Sequence, residues 1–114
     1  MQLGRFLLVE DNPTLRTLLT VYLERRGYDV VAADSSEELL GLLKEGTEPV
    51  IACLVDATLP GMNGAALLEQ VAARFPAAKL ILMSGYADAE RPALRDARFL
   101  QKPFNPRELD ALLG

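Results

Sequence analysis

The sequence predicts an α/β fold in which a parallel β-sheet is flanked by helices. Short apolar runs alternate along the chain with segments whose apolar residues recur at helical spacing. Strands that alternate with helices in this way are typical of parallel strands joined by helical crossovers. The chain has 114 residues, half of them apolar. That length suits one compact domain, and we expect residues 1–114 to form it.

Five apolar runs are predicted as strands. They are Phe6 to Val9, Asp29 to Ala33, Val50 to Val55, Leu80 to Met83 and Arg98 to Gln101. The first, third and fourth runs are apolar enough for burial on both faces, as expected of central strands in a parallel sheet.

The first two helices have clear start signals and apolar stripes. Pro13 suits the first turn of the first helix, and Gly27 ends it. Its predicted core face consists of Leu15, Leu18, Leu19, Tyr22 and Leu23. Ser35 and Glu38 have the spacing of a capping box at the start of the second helix. The second core face consists of Leu39, Leu40 and Leu43.

Two further helices follow the third and fifth strands. The third helix is predicted from about Gly64 to Phe75, because Pro76 ends it. Its core face consists of Leu68, Val71, Ala72 and Phe75. The last helix begins with Asn105 as cap, Pro106 at the first position and Glu108 at the third. Its inward residues are Leu109, Leu112 and Leu113.

The fourth crossover departs from the pattern. Only the stretch from Gly85 to Ala97 separates the fourth and fifth strands, and Pro92 lies in the middle of it. Proline disfavours helical geometry in the preceding residue, so a helix there starts near Pro92 and has one or two turns. We therefore expect a shortened or irregular fourth helix.

Composition excludes several classes of protein. The formal net charge is −4, and the lysines and arginines are scattered, which argues against direct binding of nucleic acid. Cys53 is the only cysteine, so it forms neither a disulfide within the chain nor a thiolate metal site, and we expect a buried thiol in a reducing compartment. No apolar run approaches the ~20 residues of a membrane span, and no signal peptide is apparent. A cytoplasmic location is the expectation.

Polar residues follow four of the predicted strands at their carboxyl ends. They are Glu10 and Asp11, then Asp56, then Ser84, then Lys102. Three carboxylates at one sheet edge repel one another unless a cation lies between them. Oxygen ligands without histidine or cysteine suit Mg²⁺, with Mn²⁺ as a second possibility. The chain contains no histidine, so we exclude zinc and base–nucleophile triads.

The same edge suits phosphoryl transfer onto a carboxylate. Asp56 is a weak nucleophile that needs positioning and charge neutralisation, and a metal ion with Lys102 supplies both. Ser84 offers a hydroxyl at the same place. Singly, each residue has a structural explanation: a surface lysine, a turn-forming serine, an acidic strand end. Together they favour an anion pocket around Asp56.

The motifs resemble those of the receiver domain of two-component response regulators, over essentially the whole chain. The similar segments are Leu7-Leu8-Val9-Glu10-Asp11, Val55-Asp56, Leu59-Pro60-Gly61-Met62-Asn63-Gly64, Met83-Ser84-Gly85-Tyr86 and Phe99-Leu100-Gln101-Lys102-Pro103-Phe104. The resemblance implies a flavodoxin-like (βα)5 three-layer sandwich with strand order 2-1-3-4-5. A stand-alone regulator and a receiver from a hybrid histidine kinase look alike at this length, and the last two segments resemble the hybrid kinase receiver slightly more.

The resemblance also implies a role for each matching residue at the cation site. Asp56 would be the phospho-acceptor and a metal ligand, and Asp11 would bind Mg²⁺ directly. Glu10 would assist through water, and Thr58 would contribute its backbone carbonyl.

Three further residues match the family's phosphoryl-contacting and switch positions. Lys102 would pair with the phosphoryl group, Ser84 would move to bond it, and Phe99 matches the aromatic switch position. A core aromatic on an edge strand is an equal explanation for Phe99. Serine stands at position 84 where the family more often has threonine, which leaves the hydroxyl's rotamer less restricted.

The function implied is signal transduction in a phosphorelay. The domain would take a phosphoryl group from a histidine kinase or histidine phosphotransferase and pass the signal to an unknown downstream protein, without being an enzyme. Members of the family commonly dimerise through the surface formed by the fourth helix, fifth strand and fifth helix. The short fourth crossover disfavours dimerisation through this surface, so we expect a monomer. The alternative is a phosphorylation-independent receiver-like interaction module. A phosphatase with an aspartate nucleophile would need a second acid at position 58, where this chain has Thr58. A flavin-binding protein of the same fold is disfavoured as well, because Asp11 would repel the phosphate of the flavin.

Overall fold

A five-stranded parallel sheet forms the centre of the chain. The computed structural model describes residues 3–43, 49–59, 61–85 and 97–113. The strands are β1 Gly4–Val9, β2 Tyr28–Ala33, β3 Val50–Asp56, β4 Lys79–Ser84 and β5 Arg98–Gln101. Their order is β2-β1-β3-β4-β5, and all neighbours are parallel. The predicted strand order is confirmed, and each predicted strand agrees to within two residues at either end.

Four helices lie within the described residues. They are α1 Pro13–Arg25, α2 Ser36–Leu43, α3 Gly64–Arg74 and α4 Pro106–Leu113. Thus α4 is the predicted last helix. The short helix predicted near Pro92 lies outside the described residues. No helix in the described part of the chain is long and apolar enough to cross a membrane.

Two apolar clusters cover the two faces of the sheet. Along β1, Leu7 and Val9 face one cluster while Phe6 and Leu8 face the other, and all four are fully buried. Helices α2 and α3 cover the first face, and α1 and α4 cover the second. The predicted three-layer sandwich is therefore confirmed, with both faces of the central strands closed to water.

The helix caps agree with the sequence signals. The Asn105 side chain accepts the backbone N–H of Glu108 at 3.2 Å. The Ser35 hydroxyl accepts the backbone N–H of Glu38 at 3.1 Å, and the Glu38 carboxylate accepts the N–H of Asp34 at 3.2 Å. In this capping box, the Glu38 carboxylate thus binds the N–H of Asp34, one residue before the cap residue Ser35. These bonds satisfy N–H groups that a helix start leaves without partners.

The predicted core face of α1 is wrong at Leu18, which is 62% exposed. Leu19 and Leu23 are buried, and at 3.6 residues per turn Leu18 lies about 120° away from the direction midway between them. The stripe is narrower than the run of leucines suggests. In α3, Leu67 is fully buried although the sequence did not single it out, and Phe75 is the C-cap.

Candidate functional site

The polar residues predicted at the carboxyl edge of the sheet do converge there. Glu10 and Asp11 follow β1, Asp56 ends β3, Ser84 ends β4 and Lys102 follows β5. Carboxylate oxygens of Glu10, Asp11 and Asp56 all lie within 4.8 Å of one another. Parallel strands bring these residues to one edge because all five strands end on the same side of the sheet.

Lys102 joins the two buried carboxylates of this cluster. Its Nζ lies 2.6 Å from Glu10 Oε1 and 2.7 Å from Asp56 Oδ2. Glu10 has no exposed surface, and Asp56 is 3% exposed. The Lys102 backbone N–H donates to the Ser84 carbonyl at 2.7 Å, and the peptide bond to Pro103 is cis. The ammonium therefore lies between two carboxylates that are almost removed from water.

Burial has the largest single effect on the pKa of Glu10, Asp56 and Lys102, and it disfavours the charged form of each. For Asp56 burial is outweighed by hydrogen bonds from Lys102 and Thr58, so the pKa of Asp56 lies below its ordinary value. For Glu10 burial prevails over the bonds from Lys102 and Asn12, so the pKa of Glu10 is raised. For Lys102 the two carboxylates outweigh burial and raise the pKa of the ammonium. Of the buried pair, Asp56 is thus the carboxyl group whose charged form the site stabilises more.

Thr58 holds the second oxygen of Asp56. The Thr58 backbone N–H and hydroxyl both donate to Asp56 Oδ1, at 2.8 and 3.0 Å. Asp56 is therefore fixed by Thr58 on one oxygen and by Lys102 on the other. The family resemblance gives Thr58 a role only through its backbone carbonyl. An aspartate side chain often forms a local turn by bonding to the residue two positions later. The spacing of Asp56 and Thr58 in the sequence therefore indicates such a contact.

The loop after β1 is fixed by a residue that the sequence analysis missed. Arg16 Nη1 donates to the backbone carbonyl of Glu10 at 2.8 Å, and Glu10 Oε2 accepts the N–H of Asn12 at 3.1 Å. The Asn12 side chain in turn caps α1. The carboxylate of Asp11, which is exposed, follows directly on the carbonyl that Arg16 binds. No motif marks an arginine whose partner is a main-chain carbonyl.

Ser84 and Phe99 lie on the two strands next to the cluster. Ser84 is fully buried at the end of β4. Phe99 is half-buried on β5, where it pairs with Leu82 of β4. The structure thus brings Glu10, Asp11, Asp56, Thr58 and Lys102 into one cluster, places Ser84 at the same edge, and places Phe99 within the neighbouring strand.

The donor chemistry of the cluster suits a hard divalent cation. Three carboxylates face one ammonium, so negative charge is in excess, and all candidate ligands are oxygens. Mg²⁺ is bound in proteins through one or two carboxylates with waters and phosphate oxygens. The residues present therefore fit Mg²⁺, and an ionised Asp56 beside them is available as a nucleophile.

Comparison with known proteins places the chain in a family. The model of the response regulator receiver domain matches residues 6–113. The transcriptional activator PfeR of Pseudomonas aeruginosa is 43% identical over 94% of this chain and 35% of PfeR. The response regulator receiver protein CpdR of Brucella abortus is 34% identical over 92% of this chain and 89% of CpdR. The sensor kinase CckA of the same organism is 36% identical over 90% of this chain and 11% of CckA.

Solved structures agree in fold. The response regulator TrrA of Thermotoga maritima, in complex with Mg²⁺ and BeF, has a TM-score of 0.80 at 27% identity, over 97% of this chain and 95% of TrrA. The receiver domain of the hybrid histidine kinase CckA has a TM-score of 0.76 at 29% identity, over 97% of this chain and 100% of that domain. The chain spans less than half the length of several curated relatives, among them AruR, FleR and PfeR. From the site, the fold and these matches, the chain belongs to the response regulator receiver domain family.

Proposed function

We propose that Asp56 accepts a phosphoryl group from a histidine kinase or histidine phosphotransferase, in a Mg²⁺-dependent reaction that switches the conformation of the domain. One observation carries the assignment to Asp56. Its carboxylate is nearly buried and kept ionised, with Lys102 at 2.7 Å on one oxygen and Thr58 at 2.8 Å on the other. Two further acids lie beside it for a cation.

The residues have distinct tasks in this reaction. Asp56 attacks phosphorus while the bond from phosphorus to the donor histidine breaks, and the histidine nitrogen leaves with the electron pair. Asp11, Asp56 and the Thr58 carbonyl would hold Mg²⁺, with Glu10 assisting through water. The ion supplies neutralisation of the phosphoryl charge. Lys102 already touches Asp56, so its ammonium is placed to bind the new phosphoryl oxygens.

The switch follows from the added charge. Phosphorylation adds about −1.5 to −2 charge and new acceptor oxygens at Asp56. The Lys102 ammonium then bonds either to Glu10 or to the phosphoryl oxygens. The Ser84 hydroxyl moves towards the same phosphoryl oxygens. We propose that Phe99 of β5 fills space that this movement vacates. The β4 and β5 ends move together because Lys102 is bonded to the Ser84 carbonyl.

We further propose that residues 1–114 act as one receiver unit that signals through protein contacts and is monomeric at micromolar concentration. The net charge of −4 supports a protein rather than a nucleic acid as the direct downstream partner. The lone Cys53, which is fully buried, is compatible with the cytoplasm. The family's role as phosphoryl acceptor, rather than as a classical enzyme, suits a site that has one nucleophile and no histidine. Light scattering across concentrations tests the monomer.

The decisive experiment uses a small phosphodonor. Wild type, Asp56→Asn and Asp110→Asn are incubated with acetyl phosphate and Mg²⁺, and intact mass is recorded. We expect wild type and Asp110→Asn to gain the mass of one phosphoryl group, and Asp56→Asn to gain none. Asp110 is a matched carboxylate at the far end of the molecule. A mass gain that persists in Asp56→Asn would overturn the acceptor, and no gain in wild type with acetyl phosphate or a phosphorylated histidine donor would favour the phosphorylation-independent module.

A further inference from the structure

A buried serine of α2 contacts the loop that carries Thr58. This β3–α3 loop comprises residues 57–63, of which position 60 is outside the described residues. The Ser36 hydroxyl donates to the backbone carbonyl of Met62 at 3.0 Å. Ser36 has no exposed surface. A hydroxyl that is buried without a partner costs free energy, so this bond fixes Met62 relative to α2.

A second contact joins the same helix turn to the loop. Gly61 has a φ of +75°, and a Cβ placed on it would lie 2.8 Å from Glu37 Oε2. The Glu37 carboxylate therefore lies beside the Gly61 backbone; the positive φ favours glycine there, whereas the exposed Glu37 side chain can move aside. Two successive residues of α2 thus lie against two successive residues of the loop, and Ser36 is the one that bonds to it.

The residue that follows the loop, Gly64, packs on Asp56 itself. A Cβ on Gly64 would lie 2.3 Å from the Asp56 carbonyl oxygen, so the start of α3 packs on the main chain of the proposed acceptor. Asn63 caps α3 by accepting the Ala66 N–H at 2.8 Å. Both ends of the loop therefore meet at Asp56, α2 holds Met62 near the second end, and Thr58 lies between Asp56 and Met62 along the chain.

We propose that Ser36 is a positioning residue for the cation site, acting through the β3–α3 loop. The inference rests on the proposed function, in which the Thr58 carbonyl is a metal ligand. A backbone carbonyl has no rotamers of its own, so only the conformation of the loop sets its position. Loss of the Ser36 bond removes the support of the loop by α2, so Thr58, still bonded to Asp56, shifts from the position that Mg²⁺ requires. Hydrogen bonds made directly to the ligands of a metal position them, and their removal typically costs 10- to 100-fold in affinity. The Ser36 bond is made to Met62 rather than to the ligand Thr58, so we expect the lower end of this range.

Ser35 provides a matched control. It is the same residue type at the neighbouring position, but its hydroxyl accepts an N–H within the first turn of α2. Ser35→Ala and Ser36→Ala each remove one hydroxyl from the start of this helix and are both expected to lower the urea midpoint of unfolding. Only Ser36→Ala removes a bond to the loop. Ser36→Cys keeps nearly the same volume and replaces the hydroxyl by a weak donor, so it serves where the alanine variant does not fold.

The experiment titrates MgCl2 into folded protein by calorimetry, well below every unfolding midpoint. We expect Ser36→Ala and Ser36→Cys to bind Mg²⁺ about tenfold more weakly than wild type, and Ser35→Ala to bind it as wild type does. Equal affinities of wild type and the Ser36 variants would overturn the positioning role and leave the proposed function intact. Equal losses in the Ser35 and Ser36 variants would assign the effect to helix stability and also overturn it. Absence of Mg²⁺ binding by wild type would overturn the cation site, and the inference with it.

Discussion

Two ionic clusters lie at opposite ends of the sheet, and they differ in burial and in charge balance. At the carboxyl edge, Lys102 faces Glu10 and Asp56, whose side chains are 0% and 4% exposed. At the amino edge, Arg26 faces Asp110, whose side chains are 50% and 30% exposed. The first cluster has more carboxylates than cations, whereas the second is balanced.

The second cluster connects helices. The Tyr22 hydroxyl donates to Asp110 Oδ2 at 2.5 Å, and Arg26 donates to both Tyr22 and Asp110. The Arg26 guanidinium also lies 5.2 Å from the centre of the Tyr22 ring. These contacts hold α4 against α1, and each of the two charged groups has one oppositely charged partner and is partly exposed. Ion pairing alone therefore does not mark a functional site, whereas an excess of buried negative charge does, because it can bind a second cation.

The largest expected effect comes from removing the cation of the buried cluster. Lys102→Met leaves Glu10 and Asp56 buried beside each other without their shared ammonium. We expect a loss of about 3 kcal/mol in the free energy of unfolding, measured by urea denaturation without Mg²⁺. Arg26→Met should cost only a small fraction of this, because Asp110 can be hydrated.

Mg²⁺ distinguishes the two losses further. Saturating MgCl2 should restore a substantial part of the stability of Lys102→Met, since the ion binds the same carboxylates, and should leave the loss in Arg26→Met unchanged. Equal losses in the two variants would contradict the comparison. So would equal recovery with MgCl2.

The next effect concerns the hydroxyl that joins α1 to α4. Tyr22→Phe keeps the ring and removes the donor to Asp110, which is then left with Arg26. We expect a loss of about 1 kcal/mol in the free energy of unfolding, which is typical for a hydrogen bond to a charged group that is partly exposed. Mg²⁺ affinity should stay at the wild-type value, because the contact lies at the other end of the sheet. A change in Mg²⁺ affinity would show that the two ends are coupled.

The carboxyl-edge cluster was predictable because the fold itself assembles it. Once the alternating apolar runs are interpreted as parallel strands, the residues after each strand must meet at one edge, and Asp56 and Lys102 follow. Their separation along the chain does not matter to this argument. The same reasoning could not find Arg16 or Ser36, because their partners are the main-chain carbonyls of Glu10 and Met62, which no residue letter marks.

Errors in the apolar pattern have a different origin. Leu18 follows the helical spacing of the core residues but lies on the flank of α1, where the sheet does not reach, so it is exposed. The pair of Tyr22 and Asp110 was missed because Tyr22 was counted only as apolar. Periodicity gives the direction of a helix face, and the width of the buried stripe depends on the neighbouring elements.

A smaller effect is the response of the buried cluster to alkaline pH. The pKa of Lys102 is raised in the folded protein, because its carboxylate partners outweigh burial, above the ~10.4 of an unperturbed lysine. The stabilisation is therefore complete below the unfolded pKa and is lost as pH rises through the folded pKa. Urea unfolding at increasing alkaline pH should show that the difference in free energy of unfolding between wild type and Lys102→Met becomes smaller. A difference that stays constant or widens would contradict the raised pKa.

The smallest expected effect is the difference in salt dependence between the two clusters. Exposed charges are screened beyond a Debye length of about 3 Å in 1 M salt, whereas charges without contact with water are screened much less. The destabilisation by Arg26→Met should therefore shrink towards zero between low and high NaCl, because half of that side chain is exposed. The destabilisation by Lys102→Met should change little, because Glu10 has no exposed surface for counterions to approach. Melting temperatures of both variants against wild type at each salt concentration give the two differences. If the Lys102 difference shrinks as much as the Arg26 difference, water and ions reach the carboxylates, and low access to water no longer explains how the two clusters differ.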